Sequence, residues 1–280
     1  MKSSPLTSLL TIADEILTAG ELIRDQQLTA LSPDMPVATG RAQLEDEGFD
    51  VAPLTHIPIT HYVHIDDLGE GSERPLREVA RKIVDEDRIP EQLPLSETLE
   101  VLRERPFIFV HHRYHITGIV TRADIGRPQV GLLTFGMIVA LENALDELIE
   151  MSAGENDWLA LLSEERRASV EEIHEERRAT NTELGRLNCL NLDDRLQLAR
   201  KLNLAPALGF DANNALRSWK EQVGHIRDSL AHGDTLLNAV PEPLEALAMV
   251  TSVRRTATAA WASVQEQAAT RRSPNTGDTG

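Results

Sequence analysis

Apolar positions change their spacing near residue 131, and the change divides the chain into halves of different kinds. Before it, they come in short runs: 107–110 and 116–120 are β-branched or aromatic stretches of strand length. After it, they step by three and four over long distances. Leu133, Met137, Ala140, Leu141, Ala144, Leu145 and Leu148 predict a helix over 132–151. Asp157 is placed to cap a second helix running to about Ala179, and Asn191 a third reaching about Leu202. Helices over 212–232 and 243–267 complete a predicted set of five, joined by modest loops as a bundle.

The first half repeats itself. Sliding the chain by 57 positions sets Ile59-Thr60-His61-Tyr62-Val63-His64-Ile65-Asp66-Asp67-Leu68 over Ile116-Thr117-Gly118-Ile119-Val120-Thr121-Arg122-Ala123-Asp124-Ile125. The same shift pairs Val51 with Ile108, Leu44 with Val101, Ala42 with Leu99 and Thr39 with Ser96. Each copy then reads as a short helix opened by a hydroxyl residue, a β segment, and a second β segment ending in an aspartate. Ser96 is the expected N-cap in copy two, with Leu99 and Leu102 on one face and Glu97 in the first turn. The helix of copy one is weakened by Gly40 and Gly48. A further helix is predicted after each aspartate. In copy one it covers 75–83, with Pro75 in the first turn; in copy two its place falls to the helix over 132–151. That helix would be shared, joining the two halves rigidly.

The stretch Gly118-Ile119-Val120-Thr121-Arg122-Ala123-Asp124 resembles the Gly-x-x-Thr-x-x-Asp signature of cystathionine-β-synthase (CBS) domains, which occur as tandem pairs binding adenosyl ligands in the clefts between them. The resemblance covers about residues 30–140 and implies an adenine nucleotide or related adenosyl regulator. It gives Asp124 the ribose hydroxyls, Thr121 a phosphate or ribose oxygen, and Arg122 a phosphate contact. Copy one keeps Asp67 but has His61 for the glycine and His64 for the threonine, so at most one well-formed nucleotide site per chain is expected. A pair serving only as a dimerisation scaffold is the competing reading.

In the second half, Leu216, Trp219, Val223, Ile226 and Leu230 define a buried stripe on the helix over 212–232. Arg227 falls at its edge. Asp228 and His232 lie four apart, on a face turned well away from it, and Gly233 suits the C-cap. The segment Arg227-Asp228-Ser229-Leu230-Ala231-His232-Gly233 resembles the Arg-polar-x-x-x-His motif of the HEPN superfamily (higher eukaryotes and prokaryotes nucleotide-binding) over about residues 131–268. The resemblance implies a homodimer that brings two motifs into one cleft to cut RNA without metal, leaving a 2′,3′-cyclic phosphate and a 5′-hydroxyl. His232 would be general acid or base, Arg227 would stabilise phosphate charge, and Asp228 would orient the imidazole.

Composition narrows these readings. The 280 residues suffice for two ordinary cores, with 41% hydrophobic and 26% charged residues. A net charge of −17 points away from a general nucleic-acid binder, so RNA contact requires a local arginine cluster. No apolar run reaches membrane length, and Asp14 and Glu15 interrupt the only segment that could serve as a signal peptide. A lone Cys189 excludes an internal disulfide or a cysteine-based zinc site. A cytoplasmic protein with no membrane partner is expected. His61, His64, His111, His112 and His115 lack recurring partners, so no metal site is expected. The two Glu-Glu-Arg-Arg blocks, 164–167 and 175–178, read as a solvated helix face.

The expected fold class is therefore α+β: a tandem CBS pair of βαββα type over 1–130, an all-α HEPN-like bundle over 131–268, and a disordered tail over 269–280. The expected function is a nucleotide-regulated endoribonuclease needing no cofactor for catalysis, acting as a toxin-like or antiviral effector, with an antitoxin or regulatory protein as further partner. Two alternatives stand beside it. One is a non-catalytic, nucleotide-responsive interaction protein; the other is a metabolic regulator in which only the CBS pair matters.

Overall fold

The computed structural model describes residue 13 and residues 15–56, 58–180 and 185–272. It divides into two compact units after Asp124, ahead of the boundary expected at 130. The first unit contains α1 (Ala19–Ile23), α2 (Val37–Glu47), β1 (Val51–Pro53), β2 (His61–His64), β3 (Arg81–Lys82), β4 (Arg88–Pro90), α3 (Leu95–Glu104), β5 (Phe107–His112) and β6 (His115–Thr121). Strands β1-β2-β3 form one antiparallel sheet. In the other, β4 runs parallel to β5 and β5 antiparallel to β6. Strands β2 and β6 each run into a 3-10 turn, Ile65–Asp67 and Arg122–Gly126, which carries the copy's aspartate.

The repeat is present in three dimensions, with one adjustment. The shift of 57 holds through β2, β6 and their turns, whereas the helices are offset by one more residue. Pro36 precedes α2 and Pro94 precedes α3, and the fully buried partners are Leu44 and Leu102. Ser96 is therefore not the N-cap. It lies inside α3 and is buried, while the Pro94 carbonyl accepts the first helical N–H groups, from Glu97 at 3.0 Å and Thr98 at 2.9 Å. Proline enters the helix from an extended backbone at no cost in donors.

The helix expected over 75–83 is instead the 3-10 turn Leu76–Glu78 followed by β3. It folds back on copy one, where Leu76 N bonds Met35 O at 2.9 Å and Arg77 N bonds Pro33 O at 3.0 Å. The matching place on copy two is filled by α1, from ahead of copy one. Ala19 N bonds Leu93 O and Gly20 N bonds Glu91 O, both at 2.9 Å. The helix starting at Pro128 belongs to the second unit and does not complete the repeat.

Large and small residues have exchanged places between the copies. Gly40 faces Leu76, whose Cδ atoms would stand 2.9 and 3.0 Å from an added Cβ. The equivalent positions in copy two are Thr98 and Ala19, both fully buried. Likewise a Cβ on Gly118 would meet Ile23 at 2.7 Å, and the corresponding residues in copy one are His61 and Ala80. Where copy two sets Ile23 against glycine, copy one has the larger His61 and the smaller Ala80.

The second unit comprises α4 (Pro128–Ala153), α5 (Glu164–Ala179), α6 (Leu192–Lys201), α7 (Asn213–Ala231), α8 (Leu236–Ala239) and α9 (Pro243–Arg272). Helix α4 packs along α9 and also against α6 and α7, and α6 packs on α7. The helix expected to start at Asp157 is broken: a 3-10 turn covers Asp157–Leu161, and α5 restarts where the Ser163 hydroxyl accepts Arg166 N at 3.2 Å. Asn191 caps α6 as expected, in a reciprocal box with Asp194. Two arginines of the charged blocks have partners within the fold and are only partly exposed. Arg166 holds Asp194 through Nε and Nη2 (2.6–3.0 Å), and Arg177 donates to Asn188 O at 2.7 Å, tying α5 to the segment before α6. Helix α9 continues to Arg272, through part of the expected tail; 273–280 lie outside the described residues.

Candidate functional site

The motif of copy two closes on itself. Asp124 Oδ2 accepts the Thr121 backbone N–H at 2.7 Å and its hydroxyl at 3.1 Å, while Oδ1 accepts Gln26 Nε2 at 3.2 Å. The carboxylate caps its own turn and is 8% exposed. Arg122 is turned elsewhere. Its Nε donates to Leu102 O at 2.9 Å and its Nη2 to Arg103 O at 3.1 Å, finishing the C-terminus of α3.

Copy one, expected to be the poorer site, holds the more open arrangement. Asp67 Oδ1 accepts Arg81 Nη2 at 2.5 Å, and its Oδ2 is buried with no hydrogen-bond partner among the described residues. The Asp67 bond holds the Arg81 guanidinium more firmly in its charged form. His64 Nδ1 lies 3.2 Å from the Asp66 backbone N–H. A cleft of about 300 Å³ opens here, lined by Tyr62, His64, Arg81, Asp87, Arg105 and Phe107 among others. Tyr62 and Phe107 meet edge to face, with centroids 5.7 Å apart. Arg105 is held by Asp87 at 2.9 Å. Two guanidinium groups beside two aromatic rings can take a phosphate and a planar base. The repeat of 57 residues singles out Asp67 and His64 but not Arg105 and Phe107, which the second copy supplies.

In the helical unit, α7 buries Leu216, Trp219, Val223 and Ile226, while Leu230 is only half-buried. Arg227 leaves this stripe with its side chain 35% exposed and donates Nη1 to Asp228 Oδ1 at 3.1 Å. The Asp228 carboxylate therefore engages its chain neighbour and not the imidazole it was expected to orient. His232 ends the helix, its N–H bonding Asp228 O and Ser229 O at 3.1 Å, and Gly233 turns the chain at φ +86°. The imidazole is exposed, and no hydrogen bond reaches it from any described residue. The loop beyond is held by Asp234, whose carboxylate accepts Ser229 Oγ at 3.2 Å and Asn238 Nδ2 at 3.3 Å.

Of the four acids on α4, Glu147 and Glu150 are exposed, while Glu142 and Asp146 are part-buried. Asp146 receives Nε and Nη2 of the buried Arg195 at 2.7 and 3.0 Å. Glu142, one turn earlier, lies within the field of both Arg195 and Arg227. Burial pushes both carboxyls above the ordinary range against the pull of Arg195, joined at Glu142 by Arg227. The sequence signal for these acids is their interruption of an apolar helix face at a spacing of four. Among the described residues, no three His, Cys, Asp or Glu side chains gather as metal ligands, and no helix is long and apolar enough to cross a membrane.

No protein-family model matches the chain, and no curated protein matches it. Solved structures of CBS domain proteins match about 40% of it. A CBS domain protein from Pyrobaculum aerophilum complexed with AMP shares 14% identity over 42% of this chain and 98% of that one, with a TM-score of 0.36. The CBS domains of a transcriptional regulator from Streptococcus pneumoniae share 16% over 39% and 96%, at 0.33. Hypoxic Response Protein I, with two coordinated zinc ions, shares 18% over 40% and 98%, also at 0.33.

Proposed function

We propose that the helical unit is a metal-independent endoribonuclease of HEPN type, acting as a homodimer, and that an adenosyl nucleotide held by a CBS pair sets its activity. The observation that carries the nuclease reading is the placing of a part-exposed guanidinium, Arg227, and an exposed imidazole with no described partner, His232, at the same end of α7. RNA brings its own nucleophile. The 2′-oxygen attacks phosphorus as its proton passes to a base, the P–O5′ bond breaks, and the 5′-oxygen takes a proton from an acid. Two imidazoles, one per subunit, supply base and acid, and the Arg227 guanidinium stabilises the charge growing on the phosphoryl oxygens. The products are a 2′,3′-cyclic phosphate and a 5′-hydroxyl.

The nucleotide reading is supported by the paired repeat and by the copy-one cleft, where Arg81 and Arg105 stand beside Tyr62 and Phe107. Regulation requires the ligand to bind the active and inactive arrangements with different affinity. An RNA-cutting unit under such control suits a toxin-like or defence effector restrained by ligand or by a partner protein. One observation favours a second reading, a non-catalytic regulatory protein: Asp228 already neutralises Arg227 in a chain of net charge −17.

The test is incubation of wild type and His232→Ala with total RNA and tRNA, with and without EDTA, across ATP, AMP, NAD and S-adenosylmethionine. Cleavage that survives EDTA, ends in cyclic phosphate and disappears in the variant supports the nuclease. Intact RNA in every wild-type reaction leaves the regulatory reading. His232 is exposed, so its replacement should change stability by no more than about 0.5 kcal/mol.

A further inference from the structure

The first half of α4 keeps an apolar face that the bundle covers only in part. From Pro128 to Leu141 the helix carries no charged residue, and its inward side chains, Leu133, Met137 and Leu141 among them, are buried. On the opposite side Leu132 is 64% exposed, with Phe135 and Val139 part-buried along the same face.

Gly136 lies one turn beyond Leu132 on that face. A Cβ there would meet no described atom within 4 Å, so packing inside the chain does not call for glycine. Glycine inside a helix also costs stability relative to alanine. The residues three and four away on either side are Leu132, Leu133, Val139 and Ala140, all apolar. Gly224 on α7 is equally open, but its corresponding neighbours are Lys220, Glu221, Arg227 and Asp228. Gly136 is therefore a hollow in an apolar surface, and Leu132 is a knob one turn away.

We infer that a second copy of the chain docks on this face, α4 against α4, with each Leu132 seated in the partner's Gly136 hollow. A knob and a hollow on one face complement themselves when a twofold axis passes between them, because the axis exchanges their places. The two helices then run antiparallel about a point level with residue 134. Charge selects the same face. Two chains of net charge −17 repel each other, and residues 128–141 meet without setting like charges together.

The location suits the ribonuclease reading above, on which this assignment rests. A Cβ on Gly131 would stand 3.2 Å from Leu230 Cδ2, so the end of α7 that carries Arg227 and His232 flanks the face. Gly131 is three residues from the axis, about 4.5 Å along the helix. The twofold thus brings two motif-bearing ends close to one axis, as a site with an imidazole from each subunit requires. A face of a few helical turns is small beside the roughly 800 Å² per partner of a standard complex, so the dimer should dissociate on dilution.

The experiment is sedimentation of the full chain over a concentration series, without RNA, for wild type, Leu132→Ala, Gly136→Leu and the double variant. Wild type should be a dimer at high concentration. Leu132→Ala removes the knob and Gly136→Leu fills the hollow, and each should raise the dimer Kd at least about 10-fold, as loss of a central contact does. Both should stay folded by circular dichroism, since Leu132 is exposed and the space at Gly136 is open. The double variant exchanges knob and hollow and should recover most of the affinity. A wild type monomeric throughout, or a Gly136→Leu chain that dimerises as tightly as wild type, would overturn the assignment. So would a double variant no tighter than Gly136→Leu alone. The nuclease reading fails separately: a wild-type dimer that these variants disrupt, yet that cleaves no RNA, leaves the docking face standing.

Discussion

Ile23 lies so close to Gly118 that a Cβ there would stand 2.7–2.9 Å from three of its side-chain carbons. Ile23 belongs to α1, which enters from ahead of copy one to complete copy two. Gly118→Ala should therefore destabilise the repeated unit by about 1–3 kcal/mol, the cost of overpacking a full core. Adding Ile23→Ala should recover part of the loss, since copy one pairs a large residue with alanine at the matching positions. Chemical denaturation of both variants measures this; equal losses in the single and double variants would contradict the packing argument.

The Arg195–Asp146 pair should be the most sensitive polar contact of the helical unit. The Arg195 side chain is 8% exposed and also satisfies the carbonyls of Leu187 and Leu190. Arg195→Ala leaves Asp146 buried without its partner and should cost about 3–5 kcal/mol. Arg178→Ala, an exposed helix residue, should cost under 1 kcal/mol in the same assay.

Stability should fall as pH rises through the carboxylate range and above it. Glu142 and Asp146 have folded-state pKa values raised by burial, so the native state holds protons that the unfolded chain has released. Their favourable contribution is complete below the unfolded carboxylate pKa and is lost as pH climbs through the raised folded values. Glu142→Gln removes its share of the dependence. Urea unfolding of wild type and variant from pH 4 to 8 should show the variant gaining on wild type as pH rises, and parallel curves would refute it.

Ligand binding should respond to the copy-one cleft. Arg81→Ala and Arg105→Ala should each weaken a phosphate-bearing nucleotide by roughly 10-fold, the loss of a charge-assisted hydrogen bond. Asp124→Ala should also lower the melting temperature without ligand, because the carboxylate holds the Thr121 N–H and hydroxyl. Calorimetric titration and thermal unfolding separate the two effects. A cleft that binds equally well without Arg81 and Arg105 would place the ligand elsewhere.

The periodicity of the chain was legible wherever one residue type decides local structure. Asn191 caps α6 through its own side chain, and the stripe of Leu216, Trp219, Val223 and Ile226 is the buried face of α7. Ser96 misled because a hydroxyl before an apolar turn is a cap signal, and Pro94 outcompeted it two residues earlier. Asp228 misled because helical spacing places it over His232, while its immediate neighbour Arg227 reaches it first. The charge pattern of 164–178 does not reveal the partners of Arg166 and Arg177, because Asp194 and Asn188 lie 28 and 11 residues along the chain.

By itself the order of residues determined the doubled βαββ pattern, the change to long helices, and the presence of an arginine and a histidine at the end of one of them. These follow from local preference and from self-similarity, which need no knowledge of distant contacts. Only the tertiary structure decided that α1 completes copy two, that Asp124 is closed by Gln26 while Asp67 is held by Arg81, and that Asp146 meets Arg195. Each of those depends on side chains brought together from remote positions, where burial and competition among donors, not spacing along the chain, select the partner.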